Sequence, residues 1–438
     1  MIKNIVQCIL LVTSVIRFSS PLSAQQKTLL NKDGELIRAT AIAVAKNYKD
    51  TSNRFCENPE TWQKIKDLHL NAVRVCWVDP WFERRNYTAW SVDDPEVTAL
   101  FDKAVQNAVD KDMTIIINYH SAGDQEAIHK KDKDESTELM QPEGFDRIRK
   151  FWEIIAPRYK DNPNVIYEII NEPAFSTQKY LSDPFKSDFL DVYKMVRQQA
   201  PDREIIMFSF NGINYDLEPV IEGYKKDIDW DKTSIGYHLY QKDRADQVRR
   251  LGRKYRVICT EWDYPGTHRY VKTVDGYDVN TEFFEVYHHS WMDWSGWDDN
   301  SLKYIQEVMI PHAVENKYQW WEAQSENKSI IVRAKGTENK ENLDLQVNGK
   351  TIESLALSDT LVNYKVPYDG DIKKLRLKLK KSKERTNILV DYVAVDGTFK
   401  DAEDQKKNTS VYQNGSCGGT LSDKMNCKGF VDFGSFSE

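Results

Sequence analysis

The chain has 438 residues, of which 40% are hydrophobic and 29% charged, and its formal net charge is −7. A chain of this length exceeds what one hydrophobic core usually supports, so we expect two domains. The composition excludes a disordered or membrane-embedded protein, and the acidic balance argues against nucleic acid as a partner.

The first residues have the features of an export signal. Lys3 supplies the positive region, an apolar stretch of about a dozen residues follows, and Leu22, Ser23 and Ala24 form a cleavage site. No other stretch reaches the roughly 20 apolar residues that a membrane helix needs. We therefore expect residues 1–24 to be a signal peptide, and the mature protein to be secreted, extracellular and not attached to a membrane.

The cysteines give a second set of expectations. Apart from Cys8 in the signal, five remain, and an odd number leaves at least one free thiol in an oxidising compartment. Cys417 and Cys427 lie close together in a Gly-rich stretch and are the expected disulfide. Cys76 and Cys259 lie in apolar segments, where we expect them to be buried as small hydrophobic residues. No CxxC or Cys/His cluster has the spacing of a zinc site.

From residue 37 onwards, short apolar segments alternate with longer amphipathic ones. The apolar segments are typical of strands covered on both faces, and the intervening segments, such as residues 97–112 and 144–161, have helical spacing. Eight such units favour a (β/α)8 TIM barrel of class α/β, because the alternative, a doubly wound open sheet, would more naturally stop at about five to seven strands. The predicted strands are residues 37–44, 71–77, 113–120, 164–170, 204–210, 233–240, 256–262 and 289–295, and a last helix follows at residues 301–317.

The pattern changes after the Trp320–Trp321 pair, where short alternating stretches are separated by turn residues. This spacing predicts a small all-β sandwich and leaves no room for βα repeats. We therefore expect the barrel to occupy residues 25–322 and the sandwich to occupy residues 325–438.

Polar side chains fall at or near the ends of six predicted strands, and in a barrel these ends converge on one mouth. Taken singly, each has a structural explanation: a helix cap, a core histidine, an ion-paired arginine or a core tryptophan. Those structural explanations do not predict that all eight side chains lie at the same end of the barrel. The residues are Arg74, His120, Asn171, Glu172, His238, Tyr240, Glu261 and Trp294.

Two carboxylates that converge on one cleft suit the cleavage of a glycosidic bond. One protonates the leaving oxygen while the other attacks the anomeric carbon from the opposite face. Arg74 beside a carboxylate would hold it ionised and oriented, and a tyrosine hydroxyl could orient it by a neutral hydrogen bond instead. An asparagine next to the acid could bond the sugar 2-hydroxyl.

These motifs, in this order, resemble glycoside hydrolase family 5. The resemblance covers residues 35–320 and rests on NAVRVCW with Arg74, NYHS with His120, NEP at 171–173, HLY at 238–240, TEW at 260–262 and SWMDW at 290–294. It implies that Glu172 is the general acid/base, that Glu261 is the nucleophile, and that the other six residues support them. The third-strand motif departs from the family's Asp-x-His, since position 118 is Asn.

The resemblance also implies a retaining endo-β-1,4-glucanase (a cellulase) that acts on plant polysaccharide without a catalytic cofactor. We expect this secreted enzyme to be a monomer. Mannan and xylan are the alternative substrates, and a non-catalytic sugar-binding barrel is the alternative of another class. Metal-dependent hydrolysis would need more His and Asp ligands than His120 and His238 provide. Sugar rings stack on aromatic faces, so the candidate subsite residues, each of which could instead be core, are Trp77, Trp81, Trp90, Tyr119 and Trp262.

The C-terminal region resembles the calcium-dependent carbohydrate-binding modules of families 36 and 60. The matching segments are IIVRAKGT at 330–337, LDLQVNG at 343–349, NILVDYVAVDG at 387–397, and residues 417–434. This resemblance implies sugar binding and makes calcium a candidate ligand. The loop before the third segment has Glu384 as its only acid, whereas the family's loop is rich in Asp and Asn. The alternative is a sandwich that only packs against the barrel.

Overall fold

A closed parallel barrel of eight strands forms the first part of the molecule, in the order β1 to β8. The computed structural model describes residues 27–44, 55–78, 92–120, 142–211, 216–239, 245–262, 284, 288–294, 299–316, 329–337, 341–380, 387–396, 398–413 and 415–436. The predicted signal peptide lies outside these residues. The barrel strands are β1 (Arg38–Val44), β2 (Ala72–Val78), β3 (Thr114–His120), β4 (Val165–Glu168), β5 (Ile205–Phe210), β6 (Thr233–His238), β7 (Val257–Trp262) and β8 (Trp291–Asp293).

The barrel confirms the predicted fold and rejects the doubly wound sheet. Most predicted strand bounds agree with the observed ones to within one or two residues. The eighth strand differs most, because it spans only Trp291–Asp293 and is two residues shorter at each end than the predicted 289–295.

Helices follow most of the strands, and the first turns of α1 and α2 have clear capping signals. The side chains of Asn58 and Asp94 accept hydrogen bonds from the backbone two residues later, and a proline follows each. Within the described residues, no helix is long and apolar enough to cross a lipid bilayer. The helices are α1 (Pro59–Asp67), α2 (Pro95–Asp110), α3 (Pro142–Arg158), α4 (Thr177–Leu181), α5 (Asp183–Gln199), α6 (Leu217–Tyr224), α7 (Ala245–Gly252), α8 (Asp299–Tyr304) and, after a π-helical turn (Ile305–Met309), α9 (Ile310–Asn316).

Two apolar layers stabilise the barrel. The larger fills the space between strands and helices, and the smaller lies inside the barrel near the N-terminal ends of the strands. Leu29 belongs to the inner layer, and backbone hydrogen bonds between Leu29, Lys27 and Val257 hold its segment against β7. The N-terminal end of the barrel is therefore packed with apolar side chains, which leaves the opposite end for polar groups.

The C-terminal region is all-β, as predicted, and has its own hydrophobic core. One sheet has the order β11-β10-β13-β19-β16-β17, and the other has the order β12-β9-β14-β15, with β18 paired to β14. Cys417 and Cys427 form the predicted disulfide, and the described thiols of Cys56, Cys76 and Cys259 are free and buried. The strands are β9 (Ser329–Lys335), β10 (Asn342–Val347), β11 (Lys350–Ala356), β12 (Val362–Pro367), β13 (Leu375–Leu379), β14 (Ile388–Val395), β15 (Thr398–Asp401), β16 (Asn408–Gln413), β17 (Ser416–Gly419), β18 (Lys424–Met425) and β19 (Gly429–Gly434).

Two arginines at the end of α7 join the sandwich to the barrel. Arg249 Nη1 lies 3.3 Å from Asp391 Oδ1, and Arg253 pairs with the buried carboxylate of Asp401. Both guanidinium groups also lie over the ring of Phe399, at 5.8 and 5.3 Å from its centroid. Phe399 packs in the same apolar cluster as the barrel core. The contact between the two domains is thus both ionic and apolar.

We expect the double substitution Arg249→Ala/Arg253→Ala to lower the free energy of unfolding by about 3 kcal/mol, because it leaves the buried Asp401 carboxylate without its cations. The matched control is Arg250→Ala on the same helix, whose partner Glu218 is exposed, and it should cost about 1 kcal/mol or less. Urea unfolding of the three proteins measures the difference. Equal stability of the double variant and the control would contradict this account of the interface.

Candidate active site

Polar residues replace apolar ones inside the barrel towards the C-terminal ends of its strands. Alternate residues of a strand face the same side, so Arg74 follows Ala72 of the inner apolar layer on β2, and Glu168 follows Ile166 on β4. Both side chains are completely buried. An arginine and a glutamate with no access to water must pair with each other or with other buried polar groups.

Arg74 is the central cation of this region. Its Nε and Nη2 donate to the two carboxylate oxygens of Glu168 at 2.7 and 2.8 Å, and Nη2 also donates to Asn171 Oδ1 at 2.7 Å. Its Nη1 donates to Glu261 Oε2 at 3.0 Å. Burial by itself lowers the pKa of Arg74, but the charges of Glu168 and Glu261 outweigh it and raise that pKa well above its ordinary value. The arginine is therefore a permanent positive charge beside Glu261.

Glu172 lies just past the end of β4 and has a strained backbone. Its φ is +43°, a left-handed conformation that costs a residue with a side chain on the order of 1–2 kcal/mol. Asn211 Nδ2 donates to Glu172 Oε2 at 3.1 Å, and the Nδ1 of His238 lies 2.7 Å from Glu172 Oε1. Strain of this kind persists only where surrounding contacts fix it, and it is common at active sites.

His238, at the end of β6, lies between the two carboxylates of Glu172 and Glu261. Its Nε2 is 3.7 Å from Glu261 Oε2, while its Nδ1 faces Glu172. Burial lowers the pKa of His238, but Glu261 and Glu172 raise it by more, so the pKa is raised overall. The two carboxylates thus share one imidazole and have different other partners.

The two carboxylates and this imidazole are also the one group in the described part of the chain whose ligand atoms could surround a metal ion. One atom from each of Glu172, His238 and Glu261 lies within 4.8 Å of the others. The same figure bounds the separation of the two carboxylates, since it joins one oxygen of each. Two carboxyl groups this close, one of which accepts a hydrogen bond from Arg74, can act as an acid and a nucleophile on one bond.

His120 and Trp294 line the other side of the mouth. Their rings stack at 4.7 Å between centroids, and the guanidinium of Arg74 lies 5.5 Å from the centroid of Trp294. Burial, followed by the charge of Arg74, lowers the pKa of His120 to about 3, so its imidazole is neutral. Asn118 Oδ1 lies 3.0 Å from His120 Nδ1, and this amide stands where the family usually has Asp.

The structure brings seven of the eight predicted mouth residues together, and the eighth, Tyr240, lies outside the described residues. Three of the predicted sugar-stacking aromatics were wrong: Trp77, Tyr119 and Trp262 are buried in the core. They are buried because their side chains face away from the barrel interior; Trp77 and Tyr119, for example, both pack on Phe151 of α3. Trp81 and Trp90 also lie outside the described residues.

Sequence reasoning missed Glu168, Ser209 and Asn211. Ser209 donates from Oγ to Glu168 Oε1 at 2.5 Å, so Glu168 has donors on both sides. The signal for Glu168 was its position as the only charge in a strand that is otherwise apolar. Nothing in the local pattern of β5 singles out Ser209 or Asn211.

An irregularity in β5 explains how Ser209 reaches Glu168. The pairing with β6 shifts between Met207 and Phe210, and both Phe208 and Ser209 have positive φ. A Cβ on Gly236, the facing residue of β6, would lie 2.7 Å from Ser209 Oγ. The bulge therefore requires glycine at position 236.

Calcium was a candidate ligand of the C-terminal sandwich, and its carboxylates would be the ligands of that ion. Lys380 pairs with Asp344, Arg333 with Asp391, and Arg376 with Asp432. These acids are neutralised by basic side chains, and no group of them in the described part of the sandwich is arranged as a metal site. The loop with Glu384 lies outside the described residues.

Comparisons with known proteins find curated relatives that match parts of the chain. A 107-residue segment is 36% identical to endo-1,4-beta-xylanase Xyn11B of Cellvibrio japonicus and covers 24% of this chain and 30% of that protein. A 245-residue segment is 25% identical to Endoglucanase A of Evansella cellulosilytica and covers 52% of this chain and 45% of that protein. The chain thus matches less than half the length of these two curated relatives.

A solved structure of vCBM60, one of the calcium-dependent carbohydrate-binding modules, is 31% identical to this chain. The match covers 25% of this chain and 91% of that one, with a TM-score of 0.24.

The barrel has a family match of its own. The family model described as cellulase (glycosyl hydrolase family 5) matches residues 31–301. This range contains all eight barrel strands and both mouth carboxylates. It is also more than half of the chain. The protein therefore belongs to glycosyl hydrolase family 5, the cellulase family.

Proposed function

We propose that the protein is a secreted, retaining endo-β-1,4-glucanase. The observation that carries the proposal is the pair of carboxylates Glu172 and Glu261, with oxygens within 4.8 Å of each other. In retaining enzymes the two carboxyl groups are about 5–5.5 Å apart, whereas inverting enzymes leave about 6.5–9.5 Å for a water molecule. The short separation supports retention.

The different partners of the two carboxylates support a division of roles. Glu261 is held by Arg74, a permanent cation, which favours an ionised nucleophile. Glu172 has His238 and Asn211 as its partners. It is the group that can carry a proton to the leaving oxygen.

The proposed reaction has two displacements. First, a carboxylate oxygen of Glu261 bonds to the anomeric carbon while the bond to the leaving oxygen breaks, and Glu172 gives its proton to that oxygen. Water then bonds to the anomeric carbon and gives a proton to Glu172, while the bond to Glu261 breaks. Both residues return to their starting states, and the sugar keeps its configuration.

The choice of glucan rests on the cellulase family and on the endoglucanase relative. Mannan and xylan remain alternatives on the same scaffold, and the xylanase relative is a reason to test xylan. For the C-terminal region we propose polysaccharide binding, on the basis of its sequence resemblance to carbohydrate-binding modules. Such a module would raise the local concentration of the enzyme on an insoluble polymer. Secretion is proposed from the features of residues 1–24.

We expect the wild type to release reducing sugar from one of four polymers: carboxymethylcellulose, glucomannan, mannan or xylan. Glu261→Ala should lose about 10⁴-fold in kcat on that polymer, because the nucleophile is gone. Circular dichroism checks that the variant is folded. If carboxymethylcellulose is the preferred polymer, the glucanase proposal is supported. If mannan or xylan is preferred, the protein is a mannanase or a xylanase instead. Wild-type levels of activity in Glu261→Ala would show that Glu261 is not the nucleophile.

Retention has a direct test in the configuration of the first product. Proton NMR during hydrolysis of a soluble cello-oligosaccharide should show the β-anomer first, followed by slow mutarotation, because two inversions restore the configuration. Initial appearance of the α-anomer would instead mean a single displacement by water.

The raised pKa of His238 predicts a pH-dependent contribution to stability. A raised folded-state pKa stabilises the fold fully below the unfolded value of about 6.5, and this stabilisation is lost as pH rises through the folded value. The difference in unfolding free energy between wild type and His238→Asn should therefore be largest at low pH and shrink as pH increases. Urea unfolding at several pH values measures it.

His289→Asn is the matched control, since His289 is also buried. Burial, followed by the charge of Arg38, lowers the pKa of His289 to about 3. A lowered histidine pKa stabilises the fold above pH about 6.5 and less below it, so the pH dependence should have the opposite sign. If the unfolding free-energy difference from wild type changes with pH in the same direction for both variants, the raised pKa of His238 is contradicted.

A further inference from the structure

The guanidinium of Arg74 donates hydrogen bonds to two carboxylates, and it donates more of them to Glu168 than to Glu261. Glu168 takes two hydrogen bonds from Arg74, through Nε and Nη2, one to each of its oxygens. Glu261 takes one, from Nη1 to a single oxygen at 3.0 Å. The paired geometry, which is the stronger form of an arginine–carboxylate contact, thus belongs to the carboxylate that is not one of the reacting pair.

Glu168 is surrounded by hydrogen-bond donors inside the barrel. Its side chain is completely buried, and its oxygens accept three hydrogen bonds, two from Arg74 and one from Ser209. Acceptors filled only by donors are the surroundings of an ionised carboxylate. The third of these donors, Ser209, lies in the bulge of β5, opposite the glycine at position 236.

The sharing of Arg74 between Glu168 and Glu261 affects the reactivity of Glu261. A nucleophilic carboxylate loses its charge when it bonds to the anomeric carbon, so any contact that stabilises that charge in the resting enzyme raises the barrier to attack. A full two-point contact with Arg74 would do this. Because Glu168 occupies the Nε and Nη2 donors of the guanidinium, Glu261 keeps one contact, from Nη1, that orients it and leaves it reactive.

We propose that Glu168 is a positioning residue that fixes Arg74 and limits how strongly Arg74 stabilises the anionic form of Glu261. This inference rests on the proposed role of Glu261 as nucleophile. Glu168 does not touch substrate, since it lies below the mouth with no exposed surface. It acts through Arg74.

Other groups around Glu261 also set its charge and must stay constant in the test. From the described elements these groups are Arg74 and Cys76 of β2, His120 of β3, Glu168 of β4, Glu172 after β4, His238 of β6 and Cys259 of β7. The test therefore changes Glu168 and leaves the remaining six in place.

The experiment compares Glu168→Gln with Glu168→Asp in the full-length protein. Gln keeps the shape and removes the charge, so Arg74 should act more strongly on Glu261, and the acidic limb of the pH profile of kcat/KM should move about one pH unit lower. Asp keeps the charge but is too short for both contacts, so its acidic limb should stay in place. In both variants kcat should fall about tenfold, because Arg74 is less well fixed.

The sign of the shift separates this proposal from a purely structural role. Loss of packing alone lowers kcat in both variants and moves neither limb, and loss of Arg74 from the site moves the limb higher. An unchanged or higher acidic limb in Glu168→Gln, with a thermal transition showing that the variant is folded, overturns the proposal.

A second measurement does not depend on activity or on that variant. In wild type labelled with ¹³C at the glutamate carboxyls, the Glu168 signal, identified by its absence in Glu168→Asp, should stay that of an ionised group across the working pH range. A protonated Glu168 in that range overturns the proposal. An inactive wild type on all four polymers refutes the proposed function instead, and the ¹³C titration still reports whether Glu168 is an anion.

Discussion

The structure depends on one buried positive charge. Arg74 has no exposed surface, and a guanidinium can be accommodated there only if its donors are satisfied and its charge is balanced. Glu168, Asn171 and Glu261 do both. Removing one partner from such a network costs far more than the network contributes, because an unpaired charge is left behind. This asymmetry fixes the positions of the groups at the mouth.

The barrel supplies these positions through strand geometry and two local departures from it. Parallel strands bring residues that are distant in sequence, such as Arg74 and Glu261, to the same end. The bulge in β5 turns Ser209 inwards, and the positive φ of Glu172 turns its carboxylate towards His238. Regular strands alone would leave Glu168 without its third donor and Glu172 outside the reach of the imidazole. The strain is located where the chemistry is.

The sequence predicts the barrel and the mouth well because both follow from periodicity. Eight apolar segments with helices between them have few other solutions, and polar residues at the ends of such strands must face the mouth. The aromatic predictions failed for a physical reason: a tryptophan next to a strand end, such as Trp77, points inwards or outwards according to its register, and period two places it among the helices. The contribution of Ser209 was not predictable, because it depends on a bulge that no local pattern marks.

The docking of the sandwich has a consequence for how the two domains are held together. Arg249 and Arg253 lie at the end of α7, the helix between the strands that carry His238 and Glu261, and they bind acids of the sandwich while covering Phe399. The attachment is therefore made by side chains and not only by the continuous chain. After proteolytic cleavage between the domains, we expect the two fragments to stay bound to each other through the contacts of Arg249 and Arg253 with the sandwich.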